Sequence, residues 1–270
     1  MKTKKIAVMC HKGGVGKTVT VAGLADAISF NDPTKKILIL DGDEQNCQRT
    51  IFGVKLTDTR GGLSSLLDGT LSLSDARVKV RPNIDLVLSG GRELREFESR
   101  NSCVDNAEML LRTNIGDVSE YDYILMDCPP AISLVSANAI TFCDYILIPC
   151  LPELLAFVGC KQTNNFIEQM GKHYAEARYP VAKVLGVVLT QYCATQNLDQ
   201  SIFSDLEDLA EKRLIGKCFS PIPKDVKVKT AQVKRKLLSE GFAKCKAAAA
   251  YRLLAKELQD EIEKIVNVTG

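Results

Sequence analysis

His11-Lys12-Gly13-Gly14-Val15-Gly16-Lys17-Thr18 stands directly behind an apolar run, Lys5–Cys10, and directly before an amphipathic segment, Lys17–Ser29. The seven residues from Lys12 to Thr18 hold three glycines and two lysines. Glycine admits backbone conformations that turn successive N–H groups toward one point, and a helix beginning near Lys17 adds the positive end of its dipole there. The product is a cradle for phosphate oxygens, from which Lys17 reaches the outer phosphates and the Thr18 hydroxyl ligates Mg²⁺. A glycine turn that merely joins a strand to a helix is the structural alternative. The standard phosphate-loop spacing asks for glycine where His11 stands, so a variant of that pattern is present rather than the pattern itself.

Outward from this stretch, short apolar or β-branched runs alternate with longer amphipathic ones. Lys5–Cys10, Lys36–Leu40, Ile84–Leu88, Tyr123–Met126, Tyr145–Ile148 and Lys183–Thr190 read as strands. Lys17–Ser29, Glu108–Val118, Ser133–Phe142, Leu154–Ala175 and Leu198–Lys212 read as helices, and a further helix spans about residues 243–266. Ile37-Leu38-Ile39-Leu40 and Tyr123-Ile124-Leu125-Met126 are apolar on both faces, as buried parallel strands are. The pattern predicts an α/β fold, a single-domain P-loop NTPase over residues 1–270 with a mostly parallel twisted sheet flanked by helices on both faces.

Hydrophobic residues make up 46% of the 270 and charged residues 25%, the balance of an ordinary globular protein. The apolar run behind the basic N-terminus is too short for a signal-peptide core, and no stretch approaches the roughly 20 apolar residues that cross a bilayer. A cytoplasmic protein is expected, its ten scattered cysteines mostly buried thiols without a C-x-x-C pair. Net charge is +2, yet the segment Lys224–Lys256 carries ten basic residues against Asp225 and Glu240, a local +8. Such asymmetry points to a face for a polyanion.

Carboxylates at the C-terminal ends of buried parallel strands fall beside a phosphate loop. Asp127 ends one such strand and suits a Mg²⁺ shell; Asp41 and Asp43 follow another on one face of its two-residue period, and Asp41 could instead cap the following turn.

With its extra lysine, Lys12, the loop resembles the deviant Walker A motif of the ParA/MinD superfamily, and the chain resembles a ParA-type partitioning ATPase. Ile37–Gln45, Ile-Leu-Ile-Leu-Asp-Gly-Asp-Glu-Gln, is similar to that family's Asp-x-Asp-Pro-Gln motif, and Tyr121–Pro130, Tyr-Asp-Tyr-Ile-Leu-Met-Asp-Cys-Pro-Pro, to its Walker B. With Ile222-Pro223-Lys224-Asp225 the match runs in order over about the first 230 residues. The resemblance implies ATP and Mg²⁺ as cofactors, held by Lys12, Gly13, Gly14, Val15, Gly16, Lys17, Thr18 and Val19. It also implies Asp43 as the residue that orients and activates the attacking water, and Asp41 near the Mg²⁺ shell with Thr18 and Asp127. Lys12 is implied to reach the phosphates of a second subunit, so that ATP holds a homodimer face to face. Gln191, Pro223 and Asp225 are implied to border the adenine. His11 replaces the family's usual Gln, Val19 its Thr, Glu44 its Pro and Asp225 its Asn.

For an output, Lys224, Lys227 and Lys229 alternate, and Lys234, Arg235 and Lys236 run together on an expected helix Val226–Leu238. This is the footprint of non-specific double-stranded DNA binding, and no aromatic residue interleaves there to stack single strands. By resemblance, an ATP dimer binds bulk DNA on the nucleoid, and a ParB-like centromere-binding or cargo adaptor protein stimulates hydrolysis and release. The chain looks like the short form, without an N-terminal helix-turn-helix domain. Three alternatives accompany this reading: a MinD-like membrane switch, which calls for a basic amphipathic terminal helix; a positioner of other cargo; and a redox protein like the nitrogenase iron protein, for which Cys128 beside Asp127 is the tempting ligand.

Overall fold

The computed structural model describes residues 2–55, 57, 61–176, 180–212 and 214–269. Eight strands form one sheet: β1 Lys4–Val8, β2 Ile37–Asp41, β3 Arg77–Arg81, β4 Ile84–Val87, β5 Tyr123–Asp127, β6 Tyr145–Cys150, β7 Lys183–Leu189 and β8 Lys217–Phe219. Their spatial order is β3-β4-β2-β5-β1-β6-β7-β8, and every pairing is parallel except β3 with β4. The helices in chain order are α1 Lys17–Asn31, α2 Cys47–Phe52, α3 Leu63–Leu67, α4 Leu73–Ala76, α5 Arg92–Asn101, α6 Leu110–Asn114, α7 Leu134–Phe142, α8 Leu154–Glu176, α9 Asn197–Glu211, α10 Val226–Val233 and α11 Lys246–Thr269.

The doubly apolar runs become the centre of the sheet because each strand there feeds two cores. Leu38, Leu40, Ile124 and Met126 join Leu63, Leu94, Phe97, Val135 and Ile140 on one face. Ile37, Ile39, Tyr123 and Leu125 alternate with them and pack on the other face against Val21, Leu24 and Ile28 of α1 and Tyr251, Leu254, Leu258 and Ile262 of α11. At about 25 cal/mol per Å² of apolar surface removed from water, these two layers are the main force holding the central strands in register. α1 and α11 touch closely enough that a Cβ built on Gly23 would lie 2.7 Å from the Tyr251 ring.

Several sequence expectations shift. β3 was not among the expected strands: Arg77-Val78-Lys79-Val80-Arg81 is a charged edge strand, closed on β4 through Pro82-Asn83, and its antiparallel sense makes the sheet mixed at that margin. The expected helix Glu108–Val118 is a 3₁₀ turn, Ala107–Met109, followed by the short α6, and Gly116 at φ 76° stops it. The terminal helix begins at Lys246 because Asp225 Oδ2 accepts the Ala247 N–H at 3.3 Å and Cys245 Sγ accepts that of Ala248 at 3.4 Å. The expected helix Val226–Leu238 ends at Val233; Lys234 is its C-cap and Arg235 turns left-handed at φ 52°. Lys234, Arg235 and Lys236 therefore lie on a turn, not on a helix.

No cysteine is disulfide-bonded: Cys10, Cys128, Cys143, Cys150 and Cys160 are buried, Cys193, Cys218 and Cys245 half-buried, and Cys47 and Cys103 exposed. Among the described residues no helix is long and apolar enough to cross a membrane.

Candidate nucleotide site

β1 runs up the middle of the sheet and its chain leaves the C-terminal edge as the glycine loop. Gly14 at φ 75° and Gly16 at φ 88° supply the left-handed turns, and Gly13 and Gly14 would give a Cβ no neighbour within 4 Å, so the loop's outer face is open. Val15 is buried, and its carbonyl accepts from the buried Thr190 hydroxyl at 2.8 Å; Thr190 thereby clamps the loop to the end of β7. The Lys17 side chain is buried and donates to the carbonyls of Cys10 and Lys12, both at 3.1 Å. It curls back under the loop it starts from.

Parallel register sets Asp41 directly opposite Asp127 at the tips of β2 and β5, with Val8 of β1 on the other side of Asp127. Both carboxylates are fully buried. Burial raises both acids above the ordinary carboxylate range; the neighbouring Asp127 adds to the shift at Asp41, while the nearby Thr18 hydroxyl and the hydrogen bond from Gln48 oppose the shift at Asp127. Asp41 holds its turn: Oδ1 accepts the Asp43 N–H at 3.2 Å and Oδ2 the Gln48 N–H at 3.3 Å. The capping role open in the sequence is thus one that Asp41 performs. Asp127 Oδ2 accepts from the Gln48 amide at 3.0 Å, whereas Oδ1 is buried with no hydrogen-bond partner among the described residues. A buried carboxylate oxygen without a donor is costly, and a divalent cation beside the Thr18 hydroxyl is a partner of the right chemistry. The residues present fit Mg²⁺.

Asp43 lies beyond the strand end, half-buried in the turn, where Oδ1 accepts the Gln45 N–H at 3.0 Å. Glu44, in place of the family's proline, is tied to Arg95 of α5 through both carboxylate oxygens, at 2.6 and 2.7 Å. Lys12 is half-buried and its ammonium sits 2.8 Å from Glu153. His11 packs edge-on against Phe166, ring centroids 5.1 Å apart, and burial together with Lys17 lowers its pKa.

Gln191, Pro223 and Asp225 come together on adjoining loops. Gln191 adopts φ 55°, Tyr192 N–H donates to Ile222 at 3.0 Å, and Lys224 N–H returns to Tyr192 at 2.9 Å. Both oxygens of Asp225 are engaged, capping α10 through Lys227 N–H at 2.9 Å and α11 through Ala247. Val19, one residue past Thr18, lines a small cavity with Val228, Leu237 and Tyr251, which joins α1 to the basic segment.

Nine of the ten basic residues between Lys224 and Lys256 are exposed, Arg252 being half-buried. The turn 234–240 is anchored from three sides. Gly53, just past α2, would bring a Cβ within 3.4 Å of Arg235; Arg81 of β3 pairs with Glu240; and the buried Asp26 of α1 accepts the Ser239 N–H at 2.9 Å. Phe242, just beyond the clustered charges of 224–236, lies under the ammoniums of Lys227 and Lys234, 5.7 and 5.8 Å from its ring centre.

Sequence reasoning passed over Thr190 and Gln48. Neither belongs to a motif that had been singled out; what marks both is that a polar side chain is buried beside the loop.

A glycine loop between β1 and α1, facing two carboxylates on neighbouring parallel strands, defines a P-loop nucleotide-hydrolysing protein. The family model described as AAA domain matches residues 3–178. The chromosome partitioning protein ParA of Caulobacter vibrioides is 30% identical over 94% of this chain and 92% of its own length. The sporulation initiation inhibitor protein Soj of Bacillus subtilis is 27% identical over 94% and 98%. Among solved structures, cobyrinic acid a,c-diamide synthase from Mycobacterium smegmatis with bound ATP analog and magnesium superposes with a TM-score of 0.79 at 24% identity, covering 97% of this chain and 96% of that one. The chain belongs to the ParA-type family of partitioning ATPases within the ParA/MinD group.

Two alternatives meet specific obstacles. The apolar face of α11 is spent on α1, with Ala247, Leu254, Leu258 and Ile262 buried, so the described helix presents no free apolar stripe for a bilayer. Cys128 is fully buried behind Asp127, away from a surface where two subunits could share a cluster.

Proposed function

We propose that this chain is an ATP-driven switch that holds non-specific double-stranded DNA as an ATP-bound homodimer and lets go on hydrolysis. The convergence of Lys12, Lys17, Thr18, Asp41, Asp43 and Asp127 at one edge of the sheet carries the reading. ATP occupies the glycine loop from Gly13 to Gly16, whose N–H groups and α1 dipole favour the phosphates, and Lys17 leaves its two loop carbonyls for the phosphate oxygens. Thr18 and Asp127 would hold Mg²⁺, which would neutralise phosphate charge when bound, while Asp41 fixes the adjoining turn. Asp43 orients the attacking water. Gln191, Pro223 and the backbone of Asp225 border the base; the carboxylate of Asp225 is already engaged in capping.

Lys12 supplies the trans contact. Its partner Glu153 is 56% exposed, and pairs of that kind are worth about 0.2–1 kcal/mol, so exchanging Glu153 for a second subunit's phosphates costs little. Lys224, Lys227, Lys229, Lys234, Arg235 and Lys236 present the DNA-binding charge, and a ParB-like or cargo adaptor protein stimulates hydrolysis. The protein works in the cytoplasm, on the nucleoid.

Lys12→Ala tests this. Sedimentation with ATP and Mg²⁺ should show a wild-type dimer and a monomeric variant, and hydrolysis should fall by about 10³-fold if Lys12 acts as cationic fingers do. Unchanged dimerisation and turnover would sink the trans role.

A further inference from the structure

Gln48 is a fully buried neutral polar side chain beside the site, at 0% exposure, and nothing in the nucleotide chemistry described so far uses it. Its backbone N–H holds Asp41. Its side-chain nitrogen donates twice, to the Thr18 carbonyl and to Asp127 Oδ2, each at 3.0 Å. A backbone carbonyl can only accept, so the Thr18 contact fixes the amide: Nε2 must face it, and Oε1 must face elsewhere. Oε1 is buried and accepts no hydrogen bond among the described residues, as is true of Asp127 Oδ1. Two orphaned acceptors therefore lie on two groups that are hydrogen-bonded to each other. Each is costly to leave buried unless a donor or a cation arrives with the ligand.

We propose that Gln48 is a positioning residue for the Mg²⁺ of the nucleotide complex: Nε2 fixes the Asp127 carboxylate and the first turn of α1 in one geometry, and Oε1 accepts a hydrogen bond from a water that the metal retains. Mg²⁺ dehydrates reluctantly and keeps several waters, each a strong donor, whereas Asp127 Oδ1 is suited to the ion itself or to a second such water. The arrangement rests on the reading that Mg-ATP binds this loop.

The test measures binding of a fluorescent, non-hydrolysable ATP analogue with chelator and across a Mg²⁺ titration, for the wild type, Gln48→Leu and Gln48→Met. The two apolar variants keep approximate volume, and Met adapts where the Leu branch does not fit; thermal unfolding in chelator identifies which is folded. Metal-free analogue affinity should stay within about twofold, while the Mg²⁺ concentration for half-maximal enhancement should rise about 10-fold or more, the usual scale for outer-shell groups. An unchanged Mg²⁺ requirement in a folded variant overturns the proposal. So does an equal loss of affinity with and without metal, which would make Gln48 a scaffold of the loop alone. Failure of the wild type to bind the analogue would instead overturn the nucleotide reading on which the proposal stands.

Discussion

The nucleotide edge lies at the N-terminal end of α1 and the basic segment packs along its flank, and the two spend their polar groups in opposite ways. At the edge, Lys17, Asp41, Gln48 and Asp127 are buried and each is held by named partners, so a small displacement changes the chemistry. Along Lys224–Lys256, nine charges stand in solvent on α10, the turns on either side of it and the first half of α11, above a segment anchored through Ser239, Glu240 and Gly53. A buried site acts through geometry, which single atoms decide. An exposed field acts through summed charge, which single residues only grade.

That contrast can be broken by mutation. The largest effect is expected at the buried edge: Lys17→Ala should lower ATP turnover by about 10²–10³-fold or more, the scale of losing one preorganised electrostatic contact, measured by steady-state phosphate release. A tenfold loss or less would mean that this edge, too, works by diffuse charge. On the basic face, replacing Lys227, Lys229, Lys234 and Arg235 together should weaken ATP-dependent DNA retention in steps. The slope of log affinity against log salt should become shallower by about 3–4, near 0.9 per lost phosphate contact. If one of the four alone removed all binding, the face would be a geometric site after all.

The smallest effect falls on the joint between the regions. Asp26 is buried in α1, and burial raises its pKa above the usual carboxylate range even though Ser239 donates to it. A carboxyl whose folded pKa is raised contributes stability below its unfolded pKa of about 4, and that contribution is lost as pH rises through the folded value. Wild-type stability relative to Asp26→Asn should therefore decline from pH 4 toward neutrality, by about 1 kcal/mol or less, in urea unfolding at a series of pH values. A difference that grows with pH would reverse the sign assigned to burial there.

The same division decides what was legible in the sequence. Runs such as Ile37–Leu40 declare a central strand because two cores demand apolar residues on both faces, and the glycine loop declares itself because its backbone admits few substitutes. β3 escaped because an edge strand is allowed to be charged, and β8 because three residues make no pattern. Lys234-Arg235-Lys236 misled because lysine and arginine favour helix by propensity; Gly53, Asp26 and Arg81 hold that segment as a turn, and a one-dimensional reading sees none of them. Gln48 and Thr190 were illegible for a related reason. Their significance lies in what they touch, and the residues they touch are 30 to 175 positions away.

One consequence follows from where the thiols lie. Cys47 is exposed at the head of α2, next in sequence to Gln48 and four residues past Asp43, while most of the other cysteines are wholly or partly covered. With Cys103→Ser and Cys193→Ser removing the other reachable sulfurs, the second of which Thr195 makes the more acidic thiol, a maleimide dye or nitroxide would attach chiefly at the rim of the reaction centre. The protein thus comes with its own spectroscopic handle, and labelling rate, emission or spin mobility at Cys47 can follow the Asp41–Gln48 turn through a cycle without any residue being added.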